Sequence, residues 1–195
     1  MPLAFLADLA QILAEVFLEP DADLREDLQQ LLREGASPAL AEPLGRMAAQ
    51  ALPPTEQAVA YAGLFLHAKD AEIVHLFESV QARGHHQAPE VITPLQAIYD
   101  EADIQLQEDV ATPPDHLGLE FACLSFLVAQ LLEGDADDRD RCLGLADRLI
   151  REHLRPFLGR VAGQLPQVPA HPYYQAAGDL ACALLPEIEK ALAEI

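Results

Sequence analysis

The stretch LGLEFACLSFLVAQLL, residues 117–132, is the most apolar part of the chain and decides its fold. It is short for a transmembrane helix, which needs about 20 apolar residues, and it contains Glu120 and Gln130. Its apolar residues occur on all sides of a helix, a pattern typical of a buried helix. Gly134 follows, where a helix can end. The stretch therefore predicts a central helix, around which the other elements pack.

Segments on both sides of this stretch show helical periodicity. Residues 3–17 place Leu, Ala, Val and Phe on one face, and Pro20 ends the segment. Asp23 and Glu26 have the spacing of a capping box at the start of the next helix, which Gly35 ends. Further helix starts or breaks are predicted at Ser37-Pro38, Pro53-Pro54, Thr93-Pro94 with Gln96, and Pro186.

The fold class follows from what the pattern lacks as well as from what it contains. No segment sustains apolar–polar alternation with period two, and no Asn-Gly or Asp-Gly hairpin turn occurs. We therefore predict an all-α fold of about nine or ten helices, in a single domain over residues 1–195. The sharpest break, residues 108–114, predicts a hinge between an N-terminal layer, 1–107, and a C-terminal layer, 115–195.

The charge of the chain limits its partners. Lys and Arg number 12 and Asp and Glu number 32, which gives a formal net charge of -20. Binding to nucleic acid or to an anionic membrane requires a basic face, so neither is an expected partner. A basic partner suits this charge, although the charge also serves solubility alone. Residues 1–17 carry two acids and no Lys or Arg, unlike a secretory signal, so we expect no membrane insertion and a cytoplasmic location.

The cysteines indicate a reducing compartment. Cys123, Cys142 and Cys182 are far apart and odd in number. They fall in apolar runs or on apolar helix faces, so we expect three buried free thiols and no disulfide. No Cys-x-x-Cys pair is present to bind zinc.

Metal and cofactor sites find little support in the sequence. Glu72 and His75 have the spacing found in di-iron helical bundles, but such sites need a second Glu-x-x-His, which is absent. No glycine-rich phosphate loop occurs. We therefore expect no metal and no cofactor. A metal-dependent helical hydrolase that uses His67, Glu72 and His75 stays as an alternative function.

Three polar residues at the start of the central helix need an explanation. Asp115 follows two prolines and precedes the apolar run, so we expect it to cap this helix, with His116 in the first turn. Glu120 is a lone charge within the run, and burial of an unpaired carboxylate is costly. We expect Glu120 to form an ion pair, to accept backbone hydrogen bonds, or to lie at a groove.

The run Pro114-Asp115-His116-Leu117, followed by Glu120-Phe121, resembles a signature of the redox-enzyme maturation chaperones, the TorD, DmsD and NarJ group. Other segments agree with this family in order and spacing, so that the resemblance covers residues 55–185. These segments are Leu64-Phe65, residues 75–80, Leu95 with Tyr99, His153-Leu154 with Phe157, and Tyr173-Tyr174.

The resemblance implies a function and a site. Members of the family are all-helical cytoplasmic chaperones, not enzymes, and they can be monomers or dimers that exchange helical layers. They bind the N-terminal segment, often a twin-arginine signal peptide, of the catalytic subunit of a molybdopterin oxidoreductase until its cofactor is inserted. A helical adaptor without peptide-specific binding is a second alternative. Carried over by position, the peptide site would comprise Tyr61, Leu64, Phe65, Pro114, Asp115, His116, Leu117 and Glu120.

Overall fold

The structure is a computed structural model, and it describes residues 1–18, 20, 22–67, 73–105 and 112–195. Within these ranges no β-strand occurs, and the predicted all-α fold is confirmed. The α-helices are α1 (Leu3–Leu18), α2 (Arg25–Glu34), α3 (Pro38–Ala49), α4 (Pro54–Tyr61), α5 (Glu78–Arg83), α6 (Pro89–Glu101), α7 (Leu117–Glu133), α8 (Ala136–Leu149), α9 (Arg155–Gln164) and α10 (Pro172–Leu192).

Helix α7 is the central element that the apolar stretch predicts. It packs against α1 along one side and against α8 along another. Gly118 allows α1 to approach closely, because a Cβ atom there would collide with the Leu18 side chain and would lie 2.9 Å from the Ala14 carbonyl oxygen. Further along, the Ser125 hydroxyl donates to the Ala7 carbonyl oxygen at 2.9 Å. The α1–α7 pair therefore forms the centre of the core.

Helix α10 closes the core against α1, α3 and α9. The predicted break at Pro186 is wrong, since α10 continues through this proline to Leu192. Proline removes one backbone donor from the helix, but Ile188, Ala191 and Leu192 are buried beyond it. Packing of these side chains holds the last turn in helical form.

Two predicted helix starts are also wrong. Asp23 is not the N-cap of α2, which begins at Arg25 after Leu24. Its carboxylate accepts mainly from the Arg25 guanidinium, at 2.7 and 2.5 Å, and only at 3.4 Å from the Arg25 N–H. Helix α6 begins at Pro89 and not after Thr93, so that Pro94 lies inside it. Pro89 suits the first position of α6, because the backbone N–H that proline lacks would have no partner there.

The prediction of three buried thiols is confirmed for Cys123 and Cys142 and is wrong for Cys182, which is exposed.

Residues 106–111, which include most of the predicted hinge, lie outside the described residues. The division into two layers therefore stays a prediction. Among the described helices, none combines the length and apolar character needed to cross a membrane.

Candidate functional site

The start of α7 lies against the start of α5. Residues 73–76 have no regular secondary structure, and the extended residue Phe77 forms an isolated antiparallel bridge with His116. The Leu117 N–H donates to the Leu76 carbonyl oxygen, and the Glu78 N–H donates to the Asp115 carbonyl oxygen, both at 2.9 Å. These two bonds bring the Pro-Asp-His-Leu motif to the N-terminus of a helix distant in sequence.

Asp115 caps α5 and not α7, so the predicted cap is wrong. One carboxylate oxygen of Asp115 accepts from the Ser79 N–H at 2.9 Å and from the Ser79 hydroxyl at 2.5 Å. Phe77, which stands at the N-cap position of α5, offers no side-chain cap, so a first-turn N–H would otherwise have no partner. Asp115 is fully buried, and it joins the two helices.

His116 performs the capping of α7 that the sequence assigned to Asp115. Its Nδ1 atom accepts from the Gly118 N–H at 3.2 Å, so the proton of the neutral ring is on Nε2. Burial lowers the pKa of His116 to about 4, against the opposite effect of Asp115. The ring packs edge-on against Phe77, with 5.0 Å between ring centroids. At neutral pH this histidine is an uncharged cap and packing group.

A buried pair, Glu78 and His153, lies at the same position in the fold. A π-helical turn, Ile150–Leu154, connects α8 to α9 and carries His153. The His153 Nδ1 atom lies 2.8 Å from a Glu78 carboxylate oxygen, and both residues are at most 5% exposed. The pair thus fixes the first turn of α5 to the α8–α9 connection.

Glu120 has none of the partners that we expected. It is fully buried, and neither carboxylate oxygen has a hydrogen-bond partner among the described residues. No ion pair of Glu120 occurs there either. Burial raises the pKa of Glu120 well above its ordinary value, and the nearby carboxylates of Glu78 and Asp115 raise it further. The environment therefore favours the protonated acid.

Tyr99 of α6 contributes to the same cluster. Its hydroxyl donates to the Pro114 carbonyl oxygen at 2.8 Å, and its side chain is buried. Burial also raises the pKa of Tyr99 well above its ordinary value, so the phenol stays protonated as a donor. We call Glu78, Ser79, Tyr99, Asp115, His116, Glu120 and His153 the buried polar cluster.

A second π-helical turn, Ala62–Leu66, follows α4 and holds Leu64 and Phe65. The Phe65 ring lies 4.9 Å from Tyr61 and 6.3 Å from Phe17, and Phe17 stacks on Phe121 of α7 at 6.3 Å. The Tyr61 hydroxyl donates to the Phe17 carbonyl oxygen at 2.8 Å. This aromatic cluster reaches α7 one residue after Glu120.

Residues 19–163 match the family described as nitrate reductase delta subunit, which is well over half of the chain. The chain belongs to the nitrate reductase delta subunit family. This is a family of molybdoenzyme maturation chaperones within the TorD-like group, so the resemblance seen in the sequence is confirmed. No curated protein matches the chain.

The region matched to the nitrate reductase delta subunit family contains the whole buried polar cluster. Motifs that are separate in sequence meet there: the residues around Glu78, the tyrosine at 99, the Pro-Asp-His-Leu run and the histidine at 153. Sequence reasoning missed the roles of Glu78, Ser79 and His153, although all three lie in segments that carry the family resemblance. The family motifs thus included these three residues, but only the fold shows which side chains are in contact.

In this family member, the residues assigned to peptide binding fall in two groups, one at the turn after α4 and one at the start of α7, and most of them are covered. Pro114 is half-buried, while the other seven are at most 6% exposed. Of these eight residues, only Pro114 therefore has enough exposed surface to contact a peptide directly in this conformation. The other residues belong to the interior: Tyr61, Leu64, Phe65, Asp115, His116, Leu117 and Glu120.

The alternative metal site is only partly described. Glu72 lies outside the described residues, while His67 is exposed and His75 half-buried. Within the described ranges, no three or more His, Cys, Asp or Glu side chains are grouped as metal ligands.

Proposed function

We propose that this protein is a cytoplasmic chaperone that binds the N-terminal segment of the catalytic subunit of a molybdopterin oxidoreductase. It holds this client while the molybdenum cofactor is inserted, before export or final assembly. The observation that carries the proposal is the match of residues 19–163 to the nitrate reductase delta subunit family. The protein itself acts without enzymatic activity and without a cofactor of its own, as a monomer or as a dimer that exchanges helical layers.

The charge of the protein suits such a client. A twin-arginine leader combines a basic end with an apolar stretch. With a formal net charge of -20, the chaperone attracts the basic end over a distance, which speeds association and disfavours acidic competitors. An apolar surface then binds the second part of the leader, and this contact provides the binding energy.

The buried polar cluster gives the family motif a role in this proposal. Asp115 connects α7 to α5, and the Glu78–His153 pair connects α5 to the α8–α9 turn. Pro114, next to Asp115, carries this connection to the surface. Because the cluster is covered, its residues act by fixing the shape of the peptide site. The half-buried Pro114 is the residue of the predicted set that contacts the client in this conformation.

Affinity capture tests the proposed function. The tagged protein is isolated from its native cells during anaerobic respiration, and the bound proteins are identified by mass spectrometry. We expect enrichment of one molybdopterin oxidoreductase catalytic subunit. No enrichment, in cells where such a subunit is demonstrably expressed, would reject the proposal.

A double variant tests the role of the motif residues separately from the chaperone function. Asp115→Asn combined with His116→Gln keeps the side-chain sizes but weakens both caps. We expect weaker capture of the client by this variant while its far-ultraviolet circular dichroism still shows a helical protein. Undiminished capture would reject the role of the motif and leave the chaperone function in place. Stoichiometric metal in the purified protein would instead support the hydrolase alternative.

A further inference from the structure

A cleft of about 870 Å³ lies beside the contact between α5 and α9. It is lined by Ile73 and His75 from the segment before α5, and by Val168 and Pro169 from the segment after α9. Among the described residues that line the cleft, none is Asp, Glu, Lys or Arg. Its size is in the range of ligand-binding clefts, and its lining is uncharged on a protein whose formal net charge is -20. The cleft therefore suits an occupant without charge.

The segment before α5 forms backbone hydrogen bonds at every second residue. The Val74 N–H donates to the Leu64 carbonyl oxygen at 3.0 Å, and the Leu76 carbonyl oxygen accepts from the Leu117 N–H at 2.9 Å. In an extended chain, the backbone N–H and carbonyl groups of successive residues point to opposite sides. His75, which lies between these two residues, therefore directs its backbone groups to the other side, towards the cleft that it lines.

This edge of the segment is open. The His75 carbonyl oxygen accepts from the Gln81 side-chain amide at 2.9 Å, and Gln81 also lines the cleft. The His75 N–H has no hydrogen-bond partner among the described residues. Ile73, two residues earlier, has the orientation of His75 in an extended chain. An unpaired edge of this kind is a ready template for a further strand.

Side-chain amides hold the open edge in place. Gln81 and Gln164 exchange two hydrogen bonds, each of 2.9 Å, and so join α5 to α9. The amide nitrogen of Gln81 has two hydrogens, so it donates to His75 as well as to Gln164. Two helices thus fix the edge before any ligand arrives. Such preorganisation reduces the loss of entropy on binding.

We propose that this cleft binds an extended, uncharged segment of the client catalytic subunit by strand addition. The backbone of the bound segment pairs with Ile73 and His75, and its side chains lie against Val168 and Pro169. In the proposed function the client is held before its assembly is complete, and incompletely folded proteins expose unpaired strand edges that aggregate. The cleft covers such an edge with backbone hydrogen bonds, which depend little on the identity of the side chains.

Two other occupants fit this cleft less well. The basic end of a twin-arginine leader would lose water from its guanidinium groups without gaining a carboxylate partner from the lining. A second copy of this chain is disfavoured, because two proteins of net charge -20 repel each other. The proposal rests on the proposed chaperone function, because it takes the client as its occupant. It adds to that function a contact with the folding part of the client, apart from its N-terminal segment.

Two substitutions of one residue test the backbone pairing in the full chain. His75→Pro removes the N–H, whereas His75→Ala removes the same imidazole and keeps the N–H. The probe is the cofactor-free catalytic subunit, obtained by affinity capture with the wild-type protein. We expect His75→Pro to weaken its binding roughly tenfold, and His75→Ala to leave the affinity within about twofold of wild type. Equal affinities of the two variants, with both folded, would overturn the proposal.

Hydrogen exchange of the wild-type protein keeps the test decisive if the proline variant does not fold. Pairing with a strand protects the His75 N–H, so its exchange should slow about tenfold or more when the catalytic subunit binds. An unchanged exchange rate in the complex would overturn the proposal. In that case the cleft is rejected and the chaperone function stands. If the wild-type protein binds no such subunit, both proposals fail.

Site-specific photocrosslinking identifies the bound segment. A photoreactive phenylalanine analogue replaces Gln167, which is exposed and lines the cleft, and in a control protein it replaces Val59, which is 70% exposed on α4. We expect a crosslink from position 167 to an uncharged segment of the catalytic subunit outside its N-terminal leader. A crosslink to the leader alone, or equal crosslinking from position 59, would overturn the proposal.

Discussion

Asp115 accepts two hydrogen bonds from Ser79, from the backbone N–H at 2.9 Å and from the hydroxyl at 2.5 Å, so that a residue two positions before the central helix caps a helix from the other half of the chain. The link is buried at both ends. A buried bond to a charged group is among the stronger contributions a hydrogen bond makes, and loss of one partner leaves the other unsatisfied. The motif thus acts first by holding α5 to α7.

Removal of the Ser79 hydroxyl should therefore be costly. The hydroxyl donates to Asp115 and also accepts from the Gln87 N–H at 3.0 Å, so Ser79→Ala breaks two hydrogen bonds. We expect the free energy of unfolding to fall by about 2–3 kcal/mol, measured by urea denaturation.

Ser37→Ala is the matched control for this loss. The Ser37 hydroxyl oxygen is buried and has no hydrogen-bond partner among the described residues. Its removal should change the free energy of unfolding by less than about 0.5 kcal/mol, or should stabilise slightly. Equal effects of the two substitutions would show that the Ser79–Asp115 contact contributes nothing specific.

Glu120 should make the protein less stable as the pH rises. Its pKa in the folded state is raised, whereas in the unfolded chain it has its ordinary value of about 4.3. Between these two values the folded state binds more protons than the unfolded state, so stability falls with increasing pH. Glu120→Gln removes this titration. We expect the variant to gain stability relative to wild type from about pH 4.3 upwards, by at most about 1.4 kcal/mol per pH unit.

The measurement is the difference in unfolding free energy between Glu120→Gln and wild type as a function of pH. The uncharged amide contributes the same free energy at every pH, so a change of this difference with pH comes from the Glu120 carboxyl group. Glu133→Gln serves as control, since Glu133 is an exposed carboxylate at the end of the same helix. The difference between the two variants' curves isolates the effect of the buried carboxyl group. A curve for Glu120→Gln that runs parallel to that of wild type would contradict a raised pKa.

Gly118 should resist a substitution that helices ordinarily favour. Gly→Ala in a helix interior stabilises by about 0.5–1 kcal/mol. At Gly118, however, the added methyl group would meet Leu18 and the Ala14 carbonyl oxygen, and α1 would have to move away. We expect Gly118→Ala to lower the unfolding free energy by about 1–3 kcal/mol.

Gly144→Ala provides the comparison within the same fold. Gly144 lies inside α8, and a Cβ atom there meets nothing within 4 Å. This variant should show the ordinary stabilisation in thermal unfolding. The account of α1–α7 contact would be wrong if both alanine variants raised the melting temperature alike.

The central helix was predictable from sequence because its apolar residues need burial whatever their neighbours. Helix α7 begins at Leu117 and ends at Glu133, close to the predicted limits. Helix boundaries set by single polar residues were less predictable. Asp23 prefers the Arg25 guanidinium to a cap, and Pro186 is tolerated because later residues are buried. Tertiary contacts override these local signals.

The site was predictable as a set of residues but not as a set of interactions. The motifs identified Asp115, His116 and Glu120, and these residues do lie together. The bonds within the site, between Ser79 and Asp115 and between His153 and Glu78, join residues that are far apart in sequence, so only the fold reveals them. The exposure of Phe126 on α7 was not predicted, because an apolar residue in an apolar run gives no sign that it faces outward.

The molybdenum content of the client provides the most direct test of chaperone function. The gene for this protein is deleted in its native host, and the catalytic subunit identified by affinity capture is purified and analysed for molybdenum and pterin per polypeptide. We predict that the subunit accumulates largely without its cofactor, and that expression of the wild-type protein restores the cofactor. A subunit that is fully loaded in the deletion strain, at normal yield, would contradict the account.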